Sequence, residues 1–274
     1  MGDSLMSNNA NLSRNRSKMD WRVLGTSLRG TSHVRSMQPC QDAHAWIKLP
    51  DSMLIAAVSD GAGSASLAKV GADAAVQAAV RVLERKLTED CLEYSENREE
   101  YWRNLLNIAL QAARQSIEET ASAYSYPLRD LAATLIVLFA TPECVAAAQV
   151  GDGVAVVGDA EGNVIALTRP QSGEYINETI FLISPDYLSA AQFTFRLCDV
   201  RSVAVLSDGL QMLALQMPSG KPHTPFFAPL FRFVAGNNDE QIAQEQLIEF
   251  LNSPRVRART DDDITLLLAT LITE

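Results

Sequence analysis

Two helical segments stand next to each other in this chain, with short apolar strands on both sides and no strand between them. The first, LAKVGADAAVQAAVRVLERKL (67–87), is rich in Ala, with Val and Leu at helical spacing. In the second, Trp102, Leu105, Leu106, Ala109, Leu110, Ala113 and Ile117 recur at the three-and-four period of one helix face. WRVLGTSL (21–28), AHAWIKL (43–49) and MLIAAVSD (53–60) precede the pair. ATLIVLFA, CVAAAQVG, GVAVVGD, VIALT, FTFRLC, VAVLSDG and ITLLLATLI follow it, separated by turn residues. A parallel sheet would need helix and strand to alternate, so the expected fold class is α+β. MLIAAVSD carries no polar residue before its Ser-Asp end, the mark of a strand buried on both faces. A late helix is expected at DEQIAQEQLIEFLNS (239–253).

The organisation expected from this pattern is a disordered polar tail over residues 1–18 and a single domain over residues 19–274. The stretches 170–192 and 216–240 read as loop-rich, each a candidate flap over a site. Within the second, QMPSGKPHTPFFAPLFRF mixes prolines with phenylalanines and reads as a partly exposed docking flap. A formal net charge of −10 argues against nucleic acid or an anionic membrane as the main partner. The chain has four cysteines, Cys40, Cys91, Cys144 and Cys198, with no C-x-x-C pair and no zinc-like spacing. With no secretory signal they read as reduced thiols of a cytoplasmic protein. No apolar run is long enough to span a membrane.

Aspartates punctuate the strand ends: Asp42 in CQDAH, Asp60 in VSDGAGS, Asp152 in QVGDGVAVV, Asp208 in LSDGL, and Asp261, Asp262 and Asp263 in RTDDDIT. Asp and Gly are ordinary turn residues, and any one of these could be only that. In a packed sheet, however, neighbouring strand ends share a rim, so the carboxylates converge. Converging anions are relieved by protonation or by a cation. All-oxygen clusters suit Mg²⁺ or Mn²⁺, whereas zinc would want His or Cys, and only His33, His44 and His223 exist. Two such ions would polarise a water and clamp a phosphoryl oxygen.

The ordered series Gln41-Asp42, Val58-Ser59-Asp60-Gly61, Ala133-Thr134, Val150-Gly151-Asp152, Ser207-Asp208-Gly209 and Asp262-Asp263-Ile264-Thr265 resembles the metal-dependent protein serine/threonine phosphatases of type 2C, in a divergent bacterial branch. The resemblance runs over about residues 22–272 and implies an antiparallel β-sandwich flanked by helix pairs. It implies two Mg²⁺ or Mn²⁺ ions, with Asp60 bridging both, the Gly61 carbonyl on one, and Asp208 and Asp262 on the other. Asp152 would help to hold a third, weaker ion, and Asp42 would orient the attacking water. The implied partner is a phosphorylated protein, with a cognate serine/threonine kinase as a second.

Several positions depart from the family pattern. Gly61-Ala62-Gly63-Ser64 stands where eukaryotic members have Gly-His-Gly-Gly, which removes a proton donor to the leaving group. Gln41 replaces a glutamate and Asp263 an asparagine. Met37 occupies the place of the phosphate-binding arginine, leaving Arg35 as the nearest candidate for that role. These departures motivate an alternative from another class: a weak or inactive relative that binds a phosphoprotein or a kinase as a regulator. DDDIT also fits the D-x-D-x-T signature of haloacid-dehalogenase-type enzymes, but that chemistry wants a strand before the motif and here the strand follows it. DGAGSASLAKVG could cradle a phosphate at a helix start, but lacks the Lys-Ser/Thr of a nucleotide loop. His44 reads as a structural hydrogen-bonder, and Arg255, Arg257 and Arg259 as solvated groups or a balance to the acidic rim.

Overall fold

The computed structural model describes residues 19–89, 98–171 and 179–273. The tail expected over residues 1–18 lies outside these, as do Cys91 and part of the first candidate flap. The chain runs through β1 (Met19–Leu28), a short helix α1 (Thr31–Arg35), β2 (Ala43–Leu49) and β3 (Met53–Ser59). The adjacent helices follow as α2 (Ala68–Glu89) and α3 (Arg98–Tyr124). Then come β4 (Leu135–Ala140), β5 (Cys144–Val150), β6 (Val154–Gly158), β7 (Val164–Ala166), the one-turn α4 (Tyr187–Ala190), β8 (Gln192–Leu197) and β9 (Ser202–Leu206). The last third carries α5 (Gln211–Ala214), the small ribbon β10 (Leu215–Gln216) and β11 (Lys221–Pro222), α6 (Thr224–Gly236), α7 (Glu240–Asn252), α8 (Pro254–Arg257) and β12 (Ile264–Thr273).

Two five-stranded antiparallel sheets form, in the orders β1-β12-β9-β6-β7 and β2-β3-β4-β5-β8. Strand alternation explains why these strands read as continuous apolar runs. In β3, Leu54, Ala56 and Val58 face the other sheet and meet Val203, Val205 and Leu267, while Ile55 and Ala57 face α2 and α3. In β12, Leu267 and Ala269 point between the sheets, while Leu266 and Leu268 point to α6 and α7. Each sheet is thus covered on both sides, giving four layers with helices outermost. The α+β sandwich flanked by helix pairs is the architecture expected from the sequence. Among its packed contacts, Trp102 of α3 stacks on Phe139 of β4 with ring centroids 4.1 Å apart.

The second candidate flap does not exist as a loop. Residues 224–236 form α6, which buries Phe227, Leu230, Phe231 and Val234 on the first sheet. A proline inside a helix costs about 3 kcal/mol, and Pro229 sits inside this one. Burying each of four large apolar side chains returns roughly 1.5–3 kcal/mol, so tertiary packing overrides the local signal.

Register places every expected aspartate at one end of the sandwich. Ser59, the last residue of β3, pairs with Ala43, the first of β2, and Val58 pairs with Ile136 near the start of β4. Val150 at the end of β5 pairs with Leu135. In the other sheet, Leu206 at the end of β9 faces both Leu266 and Val154, near the starts of β12 and β6. The residues that follow β3, β5 and β9, or precede β2 and β12, therefore share one rim.

Candidate metal centre

The two Ser-Asp-Gly endings do equivalent work on the two sheets. After β3, Ser59 Oγ donates to the Thr134 carbonyl at 2.6 Å, and Thr134 Oγ1 accepts from the Asp60 N–H at 2.9 Å. After β9, Ser207 Oγ accepts from the Thr265 N–H at 3.0 Å and donates to Asp42 Oδ2 at 2.7 Å. Each serine ties its strand end to a neighbour, so each aspartate that follows starts from a fixed backbone. The glycines serve close approach. A Cβ on Gly61 would lie 2.7 Å from that of Ala68, and one on Gly209 would lie 2.0 Å from the Asp263 carbonyl oxygen. Neither glycine has a positive φ.

One carboxylate oxygen from each of Asp60, Asp152 and Asp208 lies within 4.8 Å of the others. All three residues are partly buried. Burial pushes the Asp60 carboxyl well above the usual carboxylate range, helped by the charges of Asp42 and Asp208. Burial likewise raises Asp208 to about 6, opposed by its hydrogen bond with Asp60. Without a cation, each of these two carboxyls is pushed toward its neutral form, because burial opposes ionisation. Asp152 is also raised by burial, against the hydroxyl of Thr179, which donates to its Oδ2 at 2.8 Å. Gln211 Nε2 donates to the Asp152 carbonyl at 2.6 Å, tying α5 to the β5–β6 turn.

Asp42 lies deeper. It is buried, and desolvation lifts it to about 7 against the opposing hydrogen bond from Ser207. Among the described residues, its Oδ1 has no hydrogen-bond donor, and neither has the buried Oδ1 of Asp208 or the buried Oε1 of Gln41. Buried oxygens without donors are costly in a folded protein. An all-oxygen set of this kind fits a hard divalent cation, so the donors present are compatible with Mg²⁺ or Mn²⁺. The Gly61 backbone adds another oxygen. Gly61 faces Ala133 as a non-hydrogen-bonded pair, while Asp60 O and Ala62 N make the bonds to Thr134 N and Ala132 O. Its carbonyl is left out of that ladder.

Not every expected residue converges. Asp262 is exposed and is not one of the three clustered carboxylates, although its charge is felt by Asp60, Asp152 and Asp208. Its Oδ1 accepts from the Asp263 N–H at 2.8 Å. Arg35 ends α1 on the surface, with Nη2 3.1 Å from the equally exposed Asp261 Oδ2. Met37, where the family arginine was expected, is 88% exposed with φ +58°.

Three site features escaped the sequence reading. Asp263 is buried and accepts from the backbone N–H groups of Gly30 and Gln41, with His33 Nδ1 2.9 Å from its Oδ1. It therefore fastens the β1–β2 connection, and Asp42 with it, to the start of β12. The hydroxyl of Ser207 holds Asp42, and Thr179 holds Asp152. The repetition of Ser before Asp-Gly was the available signal for the second of these features; nothing in the sequence pointed to Thr179. His44 accepts or donates at Nδ1 to Ser27 Oγ at 2.9 Å, and burial lowers its pKa, as befits a structural histidine.

A family model described as protein phosphatase 2C matches residues 29–252. The chain belongs to the protein phosphatase 2C family. It is 37% identical over 257 residues to serine/threonine-protein phosphatase 3 of Escherichia coli (strain K12), a match covering 92% of this chain and 98% of that protein. Among solved structures, it resembles the S. agalactiae serine/threonine phosphatase with a TM-score of 0.61 at 14% identity, over 92% of this chain and 99% of that one. It also resembles the catalytic domain of the serine/threonine protein phosphatase PstP, solved in complex with 2 manganese ions, with a TM-score of 0.58 at 14% identity, over 93% and 100% of the two chains. At such identities the structural likeness is one of fold. Within this phosphatase 2C fold, the acidic rim is where two sheets and the α5 turn meet.

Proposed function

We infer that this protein is a metal-dependent phosphoprotein phosphatase that hydrolyses phosphoserine and phosphothreonine. The observation that carries this reading is the meeting of Asp60, Asp152 and Asp208 within 4.8 Å, with buried oxygens of Asp42 and Asp208 that have no donor among the described residues, in a chain of the phosphatase 2C family. Two Mg²⁺ or Mn²⁺ ions bound there would supply a nucleophilic water at neutral pH and neutralise the phosphoryl oxygens. Asp60 would bridge the pair, with the Gly61 carbonyl on one ion and Asp208 and Asp262 on the other. Asp152 would contribute to a third, weaker site.

The remaining roles belong to the chain itself. Ser207 locks Asp42 Oδ2, and Oδ1, which has no donor among the described residues, would accept a hydrogen from the attacking water. Arg35 would take a phosphate oxygen by exchanging its exposed partner Asp261, since such exposed pairs hold only about 0–1 kcal/mol. No phosphorylated side chain of the enzyme is required. The substrate is a phosphorylated protein, and the natural counterpart is a serine/threonine kinase acting on the same sites. A purely regulatory relative would gain nothing from keeping a cluster of mutually repelling carboxylates.

The test is hydrolysis of p-nitrophenyl phosphate and a phosphothreonine peptide, with and without millimolar Mn²⁺, by the wild type and by Asp208→Ala. Turnover that requires metal and is lost in the variant is expected. Turnover of neither compound by a wild type that binds Mn²⁺ would overturn the reading.

A further inference from the structure

A cleft of about 760 Å³ opens between α5, α6, α7 and α8, within the range of about 300–1,000 Å³ typical of ligand clefts. Met212, Phe226, Phe233 and Phe250 line it, with Met212 60% and Phe250 38% exposed. Arg255 and Arg259 stand at its edge. Among the described residues, neither guanidinium has an ion-pair or hydrogen-bond partner.

Two of the segments that line the cleft are joined closely in sequence to the acidic rim. Met212 lies on α5, the turn that begins directly after Asp208-Gly209, and Gln211 beside it binds the Asp152 carbonyl. Arg255 and Arg259 sit on and just after α8, immediately before Asp261 and Asp262. Met212 lies four positions after Asp208, so their Cα atoms lie no more than about 14 Å apart, a span that a few residues flanking a phosphorylated side chain can reach.

Charge selects among occupants. The chain carries a formal −10, and the rim itself is rich in carboxylates, so an acidic substrate meets net repulsion. Arg255 and Arg259 offer two uncommitted cations beside an aromatic floor. We propose that this cleft docks the phosphoprotein substrate, accepting a segment that carries a large apolar side chain next to acidic residues. The inference rests on the phosphatase reading and adds to it the class of sequence that the enzyme prefers. An apolar anchor in a desolvated pocket supplies affinity, and rim charges speed and orient encounter.

Two peptides of equal length test this, both centred on phosphothreonine. One carries Phe and two Glu on each flank, and the other has these replaced by Ala and Gln. With Mn²⁺, wild-type kcat/KM should favour the first by at least about tenfold, the effect of one well-buried anchor. Phe250→Ala, and separately the double variant Arg255→Gln with Arg259→Gln, should each erase most of that preference through KM. Their p-nitrophenyl phosphate turnover should match the wild type, which also shows that both variants fold. Fluorescence anisotropy with the same labelled peptides in EDTA reads docking without catalysis, and should give the same order of affinities. Equal kcat/KM and equal affinity for the two peptides on the wild type would overturn the proposal. So would a preference that survives in both variants, or a wild-type dimer in sedimentation that Phe250→Ala dissociates, since a second copy would then fill the cleft. Should the wild type bind Mn²⁺ yet turn over neither p-nitrophenyl phosphate nor the peptides, the phosphatase reading fails, and the anisotropy measurement still decides the docking.

Discussion

Replacing Asp208, a proposed metal ligand, should stabilise this protein when no metal is bound. Asp208 has its carboxyl raised from 3.8 to about 6, chiefly by burial, and its Oδ1 is buried without a donor. A carboxyl whose pKa is raised on folding binds its proton more tightly in the native state. The native state is therefore disfavoured progressively as pH climbs through the window between the unfolded and folded values, here about 4 to 6 for Asp208 and up to about 7 for Asp42. Above both values the cost is roughly 1.36 kcal/mol per unit, hence roughly 3 kcal/mol for Asp208. Because the titrations of Asp208 and Asp60 act on each other, Asp208→Asn should recover only roughly 1–3 kcal/mol at pH 7.5. For a chain of this size that is a rise in Tm of roughly 2–10 °C. The assay is thermal unfolding in EDTA at pH 5.5 and 7.5, repeated at pH 7.5 with Mn²⁺. The wild type in EDTA should lose stability between the two pH values more steeply than the variant. At a Mn²⁺ concentration 100 times Kd the wild type should gain about 2.7 kcal/mol, and Asp208→Asn much less. A variant less stable than the wild type in EDTA at pH 7.5 would refute the claim that an uncompensated carboxylate cluster strains the metal-free fold.

Other outcomes follow from single contacts. Ser207→Ala removes the hydroxyl that fixes Asp42 Oδ2, which should cost about 1–3 kcal/mol in denaturant unfolding and lower kcat while KM changes little. Gly209→Ala would set a Cβ 2.0 Å from the Asp263 carbonyl oxygen, so it should destabilise by about 3 kcal/mol or more, the upper end of overpacking; a soluble variant with wild-type Tm would contradict that close approach. Trp102→Ala deletes the ring stacked on Phe139 far from the site, and should cost about 3–5 kcal/mol of stability with Mn²⁺-dependent kcat preserved at 20 °C.

The layers of the fold were legible because central strands such as β3, β4 and β9 are apolar on both faces and the helices α2 and α3 follow one another. Leu54 and Ile55 point to opposite layers yet are equally buried, which is why MLIAAVSD shows no alternation. The rim was legible because Asp and Gly recur at strand ends. What the sequence hid is of two kinds. α6 was hidden by Pro225 and Pro229, local breakers overridden by the burial of Phe227 and Phe231 on the first sheet. The division of labour among aspartates was hidden because type and position in sequence do not reveal depth. Asp262 and Asp263 are neighbours, yet the first is exposed and the second is buried under two backbone N–H groups. Arg35 illustrates the same limit, since only the structure reveals that its side chain rests on Asp261.

The central claim is that Asp60 and Asp208 exist to hold cations between them. Anomalous diffraction from crystals soaked in Mn²⁺, collected at the manganese edge, tests it directly. Two peaks are expected on either side of Asp60, one touching the Gly61 carbonyl and the other touching Asp208, with Asp262 turned in to join it. An absence of manganese between Asp60 and Asp208 at a concentration that supports turnover would contradict the account.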